Sequence, residues 1–269
     1  MKGLVLAGGT ATRLRPLTLV TNKHLLPIYD RPMIYYPIQT LVEIGVREVL
    51  VILGGRSVGD VVELLGDGSD FGLDLTYRFQ RGPLGIAHAI GLARDFVGAD
   101  PFCTVLGDNV MLGEPLAEAA REFAVGPCGA GTLLYETARP ERFGVAEFRR
   151  PDGTISDGRR EDDVLVGFEE KPIEPKSNLV PIGVYFLRPS VFEVIAGLTP
   201  SGRGELEITD VLNHYVRGGG LFWRRYEGQW TDAGTVDSLL SASKLAELYA
   251  RERTVATDAS RGAGSPAEP

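Results

Sequence analysis

The chain has few cysteines, few histidines and no long apolar run. Of its 269 residues, two are cysteine and three are histidine. Cys103 and Cys128 are isolated in apolar surroundings, so we expect reduced thiols in the core and no disulfide framework. His24, His88 and His214 do not form a cluster with metal-ligand spacing, which argues against a zinc site. No segment approaches about 18 uncharged apolar residues, the length that a membrane helix needs.

An excess of positive charge is also lacking. The formal net charge is -8, with 36 acidic residues against 28 basic ones. This balance argues against non-specific binding of nucleic acid, and we expect neither a nucleic-acid partner nor a membrane partner. No basic leader precedes an apolar run at the N-terminus, which favours a cytoplasmic protein. A phosphorylated substrate would then have to be held by local cations.

The size and composition favour one large folded domain. Hydrophobic residues make up 43% and charged residues 24% of the chain, which is ordinary for a globular protein. Residues 254–269 lose all periodicity and contain Gly, Ser, Pro and Ala. We therefore expect a domain over residues 1–253 and a disordered tail over residues 254–269.

In the first half of the chain, apolar strand-like runs alternate with amphipathic helical patterns. The predicted strands cover residues 1–7, 48–53, 75–79 and 102–106, and the predicted helices cover residues 34–45, 57–66 and 85–96. This rhythm predicts an α/β fold with a mostly parallel sheet and helices on both faces. Ligands of such sheets bind at the carboxyl ends of the strands, and Gly8, Gln80 and Asp108 each follow a strand there.

The second half of the chain is richer in strands. Strand patterns cover residues 129–135, 144–149, 164–170 and 181–187, and helical patterns cover residues 190–197, 206–217 and 236–251. The polar segment 151–163 is predicted to be an exposed loop or hairpin. The complete sheet is therefore expected to be mixed.

The first strand runs directly into a glycine turn. Gly8 and Gly9 begin the turn, Arg13 follows, and Lys23 comes ten residues after Arg13. Backbone N–H groups of such a turn can bind phosphate oxygens, and the two cations can neutralise them. The pattern thus predicts a polyphosphate site. A tight strand-to-helix turn with surface cations remains the alternative, because short glycine patterns are common.

Two aspartates are candidates for a metal site. Asp108 follows an apolar strand, and a carboxylate at a strand end can hold Mg²⁺, which binds few carboxylates and keeps phosphate oxygens and waters. An Asx turn or a helix cap is the alternative for Asp108. Asp232 is the second candidate, but its distance along the sequence means that spacing alone does not pair it with Asp108.

Gln80 and Lys171 each have two possible roles. A carboxamide offers both a donor and an acceptor, so Gln80 at the end of a strand suits the O4/N3–H edge of thymine or uracil. The alternative is a solvent-facing glutamine. Lys171, between Glu170 and Pro172, could bind an anion or be a surface lysine at a strand end.

Longer motifs add to these local patterns. Gly-Gly-x-x-Thr-Arg-Leu-x-Pro-Leu-Thr at residues 8–18, followed by Asn-Lys-His-Leu-Leu-Pro at 22–27, resembles the signature of sugar-1-phosphate nucleotidyltransferases. Pro-Met-Ile-Tyr-Tyr-Pro at 32–37 resembles their glucose-1-phosphate thymidylyltransferase branch. Further blocks in the family's order lie at residues 106–109, 142–145, 169–172, 203–210 and 230–235. The resemblance extends from residue 1 to about residue 250.

The resemblance implies a Rossmann-like nucleotidyltransferase fold and a reaction. The expected reaction converts dTTP and α-D-glucose 1-phosphate into dTDP-glucose and pyrophosphate, with Mg²⁺ as cofactor. A homo-oligomer, either a dimer or a tetramer, is also expected. A uridylyltransferase of the same architecture is one alternative, because glutamine suits uracil as well as thymine. A catalytically silent sugar-nucleotide sensor is another, but it predicts loss of a cation or metal ligand that this sequence retains.

The resemblance also assigns roles to individual residues. The expected catalytic residues are Arg13, Lys23, Asp108, Lys171 and Asp232. Those expected to bind the nucleotide are Leu6, Gly8, Gly9, Thr10, Thr12, Arg13, Gln80, Pro83, Gly85 and Asp108. The sugar phosphate is expected to contact Asn109, Gly144, Glu170, Lys171, Pro181 and Tyr185. The expected metal ligands are Asp108 and Asp232.

The sequence departs from the family pattern in four places. Ala11 stands where the family usually has Gly, and since Ala tolerates a positive φ poorly, we expect a negative φ there. Gln-Arg-Gly-Pro-Leu-Gly at 80–85 replaces the more usual Gln-Pro-x-Pro-x-Gly. The segment between Phe148 and Glu169 is several residues longer than the common form. The extra C-terminal helical segment of the longer enzymes is missing, so a second, regulatory nucleotide site is not expected.

Overall fold

The computed structural model of the chain describes residues 1–262, with side-chain surroundings through Arg253. The strands are β1 (Lys2–Ala7), β2 (Pro27–Ile28), β3 (Arg31–Pro32), β4 (Glu48–Leu53), β5 (Asp74–Phe79), β6 (Phe102–Leu106), β7 (Asn109–Leu112), β8 (Ala130–Glu136), β9 (Gly144–Arg149), β10 (Ile155–Ser156), β11 (Val164–Glu170), β12 (Leu179–Leu187), β13 (Leu221–Arg225) and β14 (Gln229–Asp232). The helices are α1 (Tyr35–Ile44), α2 (Val58–Leu65), α3 (Ile86–Gly91), α4 (Arg94–Val97), α5 (Ala117–Val125), α6 (Val191–Ala196), α7 (Ile208–Arg217) and α8 (Val236–Gly262).

Seven strands form the central sheet, in the order β13-β8-β12-β6-β1-β4-β5. Strand β1 lies in the middle and pairs in parallel with both β4 and β6. Strand β12 runs antiparallel to both of its neighbours, β6 and β8, and the remaining pairs of this sheet are parallel. The prediction of a mixed, mostly parallel sheet is confirmed.

Both faces of the sheet are covered by helices, as predicted. Along β1, Val5 packs into a cluster with residues of α1, α2 and α5, whereas Leu4 packs into another with residues of α3, α6 and α7. Alternate side chains of a strand point to opposite faces, so both sets must be apolar. This is why β1 and β4 are continuous apolar runs.

Most predicted elements are present, and the differences have local causes. The helix predicted over residues 85–96 is divided into α3 and α4, and α3 ends at Gly91, a poor helix former. The predicted hairpin at 151–163 contains β10, which pairs with β9. Strands β2, β3, β7 and β14 were not predicted, because runs of two to four residues are too short to show a period. Strand β13 and helix α5 were also not predicted.

The last helix continues past its predicted end at Arg251. Helix α8 runs to Gly262, so residues 254–262 of the predicted disordered tail are helical. Residues 254–261 contain no Pro or Gly that would end a helix. The composition of the whole tail did not reveal this continuation of the helix. Residues 263–269 lie outside the described residues, and the domain boundary at residue 253 stays a prediction. Across residues 1–262, no helix is both long enough and apolar enough to span a membrane.

The buried face of β4 gives a test of the fold. Leu50 is 1% exposed within the cluster on the α3 face. Leu50→Ala should lower the free energy of unfolding by about 2–5 kcal/mol, because it removes buried methyl groups and leaves a cavity. Leu240→Ala is the matched control, since Leu240 is 56% exposed and its truncation should cost under about 0.5 kcal/mol. Urea titrations of both variants measure the difference; equal losses would contradict the packing.

Candidate active site

A cleft of about 590 Å³ lies at the edge of the sheet where the parallel strands end. All of the residues that the sequence singled out lie on its wall: Leu6, Gly8, Gly9, Thr10, Thr12, Arg13, Lys23, Gln80, Pro83, Gly85, Asp108, Asn109, Gly144, Glu170, Lys171, Pro181, Tyr185 and Asp232. The fold thus brings together side chains from both halves of the chain. Their individual binding roles stay predictions.

The glycine turn after β1 forms the floor of the cleft. Gly9 has a φ of 97°, and Ala11 has a φ of 49°, in the left-handed region. The prediction of a negative φ at Ala11 was therefore wrong. The carbonyl of Ala11 accepts hydrogen bonds from the Thr18 hydroxyl at 2.8 Å and from the Leu14 N–H at 3.1 Å. These two bonds offset the left-handed conformation, which costs an alanine roughly 1–2 kcal/mol.

Lys23 and Asp108 form an ion pair across the cleft floor. The Lys23 Nζ lies 2.6 Å from the Asp108 Oδ2, and each side chain is 16% exposed. Burial alone would raise the pKa of Asp108, but the charge and the hydrogen bond of Lys23 outweigh burial and lower it to about 2. His24 and Asn109 contribute to the same lowering. Asp108 is therefore a carboxylate throughout the neutral range.

Hydrogen bonds of the Asn22 side chain hold the turn that carries Lys23. The Asn22 Oδ1 accepts hydrogen bonds from the His24 backbone N–H at 3.1 Å and from the His24 Nδ1 at 2.7 Å. The Asn22 Nδ2 donates to the carbonyls of Gly54 and Arg56. Burial, together with the charge of Lys23, lowers the pKa of His24 to about 3, so its ring is neutral. A Cβ at Gly107 would lie 2.7 Å from that ring, so only glycine fits before Asp108.

Asp232 is brought beside Asp108 by a strand pair that the sequence did not reveal. Strand β14 pairs antiparallel with β7, which places Asp232 opposite Asn109. The next residue, Ala233, donates its N–H to the Asp108 carbonyl at 2.8 Å. Burial and the charge of Asp108 both raise the pKa of Asp232 above its usual range, while Arg142 and Arg13 oppose them. The two carboxylates therefore share one electrostatic environment.

Arg142 is a cleft residue to which the sequence analysis assigned no role. Its Nη2 lies 3.3 Å from the Asp232 Oδ2, and its guanidinium lies 5.5 Å from the centre of the Phe143 ring. The residue was visible only as part of the Arg-Phe-Gly-Val block at 142–145, and a lone arginine in a turn has no spacing that indicates its partner. In the structure it compensates the charge of Asp232.

Elsewhere on the wall of the cleft, Glu170 is paired with two cations. The Lys171 Nζ and the Arg203 Nη2 each lie 3.0 Å from the Glu170 Oε1. The Thr209 hydroxyl donates to the Glu170 Oε2 at 3.3 Å. Lys171 has a φ of 47°, and its N–H donates to the Phe143 carbonyl at 2.9 Å. Sequence reasoning found Glu170 and Lys171 but missed Arg203 and Thr209.

The wall beside Glu170 is closely packed. A Cβ at Gly144 would lie 2.4 Å from the Thr209 Cγ2, so this position has room only for glycine. Tyr185 is buried, and burial raises the pKa of its hydroxyl. With Pro181 it gives the cleft an apolar side.

Asn109 connects three elements beneath the cleft. Its Oδ1 accepts from the Gly183 N–H at 3.0 Å and from the Trp230 Nε1–H at 2.6 Å. Its Nδ2 donates to the Asp108 Oδ1 at 3.0 Å. Strands β7, β12 and β14 are thereby tied to Asp108. These bonds use the Asn109 oxygen and leave one N–H of its amide for a ligand.

The distribution of charge suits an anionic ligand together with a divalent cation. Five cationic side chains line the cleft, namely Arg13, Lys23, Arg142, Lys171 and Arg203. Four carboxylates line the same cleft, those of Asp108, Asp232, Glu170 and Glu205. Within residues 1–253, no group of three or more His, Cys, Asp or Glu side chains could hold a metal by itself. Two carboxylates still fit Mg²⁺, which completes its shell with phosphate oxygens and water.

A family model and named relatives match most of the chain. The model described as nucleotidyl transferase matches residues 2–247. A low-salt glycan biosynthesis nucleotidyltransferase of Haloferax volcanii is 42% identical over 246 residues, which are 91% of this chain and 66% of that protein. A glucose-1-phosphate thymidylyltransferase of Neisseria meningitidis is 40% identical over 251 residues, 92% of this chain and 83% of that protein. A similarly named Mycolicibacterium smegmatis protein is 41% identical over 245 residues, 90% of this chain and 81% of that protein.

Solved structures share the fold. A crystal structure from Bacillus anthracis, described as a glucose-1-phosphate thymidylyltransferase in complex with sucrose, has a TM-score of 0.82 and 44% identity, covering 91% of this chain and 95% of that one. A UDP-glucose pyrophosphorylase complexed with UDP-glucose has a TM-score of 0.76 at 24% identity, covering 90% of this chain and 97% of that one. The second likeness concerns the fold alone.

The ion pair on the cleft floor predicts a pH dependence of stability. The pKa of Asp108 is about 2 in the fold, against 3.8 for an unperturbed aspartate. Because the folded value is the lower one, the pair stabilises the fold above pH 3.8 and the contribution is lost as the pH falls through about 2. Between roughly pH 4 and pH 2, the free energy of unfolding of the wild type should fall by about 2 kcal/mol more than that of Asp108→Asn.

Urea titrations at several pH values measure this difference. Asp74→Asn, which changes an exposed aspartate at the start of β5, is the matched control and should follow the wild type. Identical pH slopes for Asp108→Asn and the wild type would contradict the assignment of a strong Lys23–Asp108 pair.

Proposed function

The chain belongs to the nucleotidyl transferase family, and from this premise we propose that it transfers a thymidylyl group from dTTP to α-D-glucose 1-phosphate, releasing pyrophosphate. One observation carries the proposal: a single cleft collects Arg13 and Lys23 near the glycine turn, Lys171 and Arg203 around Glu170, and the carboxylates of Asp108 and Asp232. Two anionic reactants that must meet require this arrangement, because each pair of cations offsets the charge of one reactant.

We call the glycine turn on the cleft floor, together with Arg13 and Lys23, the nucleotide wall, and we propose that it binds the triphosphate. Backbone N–H groups of the turn would contact phosphate oxygens, and Arg13 and Lys23 would add charge-assisted hydrogen bonds. A Cβ at Gly234 would lie 2.9 Å from the Asp232 Oδ2 and 3.1 Å from the Arg13 Nη2. The Arg13 guanidinium therefore lies near the Asp232 carboxylate. We propose that Arg13 stabilises the leaving pyrophosphate, where negative charge increases during the reaction.

The wall around Glu170 is proposed to bind the sugar phosphate. Lys171 and Arg203 would contact the phosphate group, and Glu170 would accept hydrogen bonds from sugar hydroxyls. Gly144 would let the sugar approach the backbone where a side chain would fill the space. The three ion-paired side chains hold one another in place before substrate arrives, which lowers the entropy cost of binding.

The chemistry itself requires no covalent enzyme intermediate. An oxygen of the sugar phosphate attacks the α-phosphorus of the nucleotide in line, a new P–O bond forms, and the bond to the bridging oxygen of pyrophosphate breaks. A phosphate monoester is largely dianionic at neutral pH, so the nucleophile needs no general base. The protein contributes positioning and stabilisation of charge, as in other phosphoryl transfers.

Enzymes of this family use a divalent metal, and we propose that Mg²⁺ is the ion here. Asp108 and Asp232 would hold it. When bound, it would neutralise phosphate charge and orient the reactants. Lys23 and Arg142 compensate these two carboxylates, and each cation would become available to phosphate oxygens if its carboxylate held a metal. A cytoplasmic location and a homo-oligomer stay predictions.

Two alternatives remain distinguishable from the proposal. A uridylyltransferase would use the same residues, because Gln80 contacts an edge that thymine and uracil share. Only the thymine methyl group and the ribose 2′-hydroxyl separate the substrates, and one methyl is worth about 1–3 kcal/mol. A silent sensor is disfavoured by the presence of all five expected catalytic side chains in one cleft.

A nucleotide panel tests the proposal directly. Pyrophosphate release with glucose 1-phosphate should give a much higher kcat/KM for dTTP and UTP than for dATP and GTP, with dTTP modestly ahead of UTP. Reactions without sugar phosphate are the control and should release almost no pyrophosphate. A purine triphosphate as best substrate would overturn the proposal, whereas a lead for UTP would support the uridylyltransferase.

Lys171 allows the two walls to be tested separately. Lys171→Ala should weaken binding of glucose 1-phosphate by about tenfold, since a charge-assisted hydrogen bond is worth about 1.5–3 kcal/mol and this lysine is partly solvated. Binding of dTTP should change less than about twofold. Lys176→Ala is the matched control, because Lys176 is paired with Glu147 outside the cleft. Calorimetry with each substrate decides; a loss confined to dTTP would reassign Lys171 to the nucleotide wall.

A further inference from the structure

We propose that His88 determines which pyrimidine the protein accepts, by fixing the orientation of the Gln80 carboxamide. The inference rests on the proposed function, since it takes Gln80 to be the side chain that contacts the base. The geometry points to a carboxamide whose nitrogen is held by the protein and whose oxygen alone is presented to the nucleotide.

The nitrogen of Gln80 is bound on two sides. Gln80 is 6% exposed at the end of β5. Its Nε2 lies 3.2 Å from the Gly85 carbonyl oxygen and 3.1 Å from the His88 Nδ1. A backbone carbonyl only accepts, so the amide nitrogen and not the amide oxygen must face Gly85. Both N–H groups of the carboxamide are therefore engaged within the protein.

The hydrogen-bonding role of the His88 ring follows from the same contact. An amide nitrogen only donates, so the His88 Nδ1 accepts this hydrogen bond. His88 lies on α3, the helix that begins directly after Gly85. One helix start thus supplies both acceptors that hold the Gln80 nitrogen.

The oxygen of Gln80 faces the cleft. A Cβ at Gly8 would lie 2.9 Å from the Gln80 Oε1, and Gly8 belongs to the glycine turn that forms the cleft floor. Among residues 1–253, no group donates a hydrogen bond to this oxygen. The Gln80 Oε1 is therefore an acceptor that is available to a ligand in the cleft.

An oxygen in this position distinguishes bases by the hydrogen on N3. Thymine and uracil carry an N3–H, which the oxygen can accept. Cytosine has an unprotonated N3, whose lone pair would face the same oxygen. A carboxamide that could rotate freely would present its NH₂ to cytosine and lose the distinction. Because an unmatched buried polar pair is costly, a fixed carboxamide rejects cytosine.

Two substitutions at the same position test the proposal. His88→Leu removes the acceptor at similar size, whereas His88→Asn keeps an oxygen near the place of Nδ1. The ratio of kcat/KM for dTTP to that for dCTP should fall about five- to tenfold in His88→Leu and recover most of that loss in His88→Asn. The change should arise mainly in KM for the nucleotide, with kcat for dTTP and KM for glucose 1-phosphate nearly unchanged.

The outcomes separate this inference from the proposed function. A wild-type protein that prefers a purine triphosphate overturns both. If the wild type prefers dTTP but His88→Leu keeps the full ratio of dTTP to dCTP, only the role of His88 is overturned. An equal fall of kcat/KM for both nucleotides, with a lowered melting temperature, would make His88 a packing residue and contradict the proposal. Failure of His88→Asn to restore the ratio would contradict the role of the acceptor.

Discussion

The ion pair between Lys23 and Asp108 joins two segments that leave the sheet at different strands, and the rest of the cleft is built around it. Below it, Asn22 and a neutral His24 fix the turn that carries the lysine. Beside it, Asn109 connects Asp108 to Gly183 and Trp230. A buried ion pair is stable only when its remaining polar atoms are satisfied, and Asn109 contributes by donating a hydrogen bond to the second carboxylate oxygen of Asp108.

Pairing of charges also reconciles an acidic protein with anionic substrates. The chain carries a net charge of -8, so no general positive field attracts phosphates. The cleft instead keeps Lys23, Arg142, Lys171 and Arg203 beside carboxylates. Each cation is held at a defined place before a ligand arrives, and its charge is compensated in the meantime. Cations held at defined places in the cleft thus take the place of a long-range positive field that would attract phosphates.

Much of the fold could be predicted from the sequence, because buried parallel strands are long apolar runs and their helices are amphipathic. The cleft residues were found where a motif marks a strand end, as at Gly8 and Asp108. The proximity of Asp108 and Asp232 was implied only by the family resemblance, since the strand pair β7–β14 is too short to show a pattern. Ala11 was predicted wrongly because two hydrogen bonds to its carbonyl outweigh its own backbone preference. Isolated arginines in loops, such as Arg142 and Arg203, gave no spacing to interpret.

The reversed direction of β12 gives the two walls different capacities for evolutionary change. The wall that we propose for the nucleotide consists largely of segments that follow parallel strands, so insertions and replacements there would leave the sheet intact. Pro181 and Tyr185 belong instead to β12 itself, where Tyr185 is paired with Thr104 on one side and Thr132 on the other. Under the proposed function, a change of sugar preference at Pro181 or Tyr185 would be constrained by the neighbouring strands. Such a change would require compensating substitutions in the sheet, whereas the loops of the nucleotide wall would vary without them.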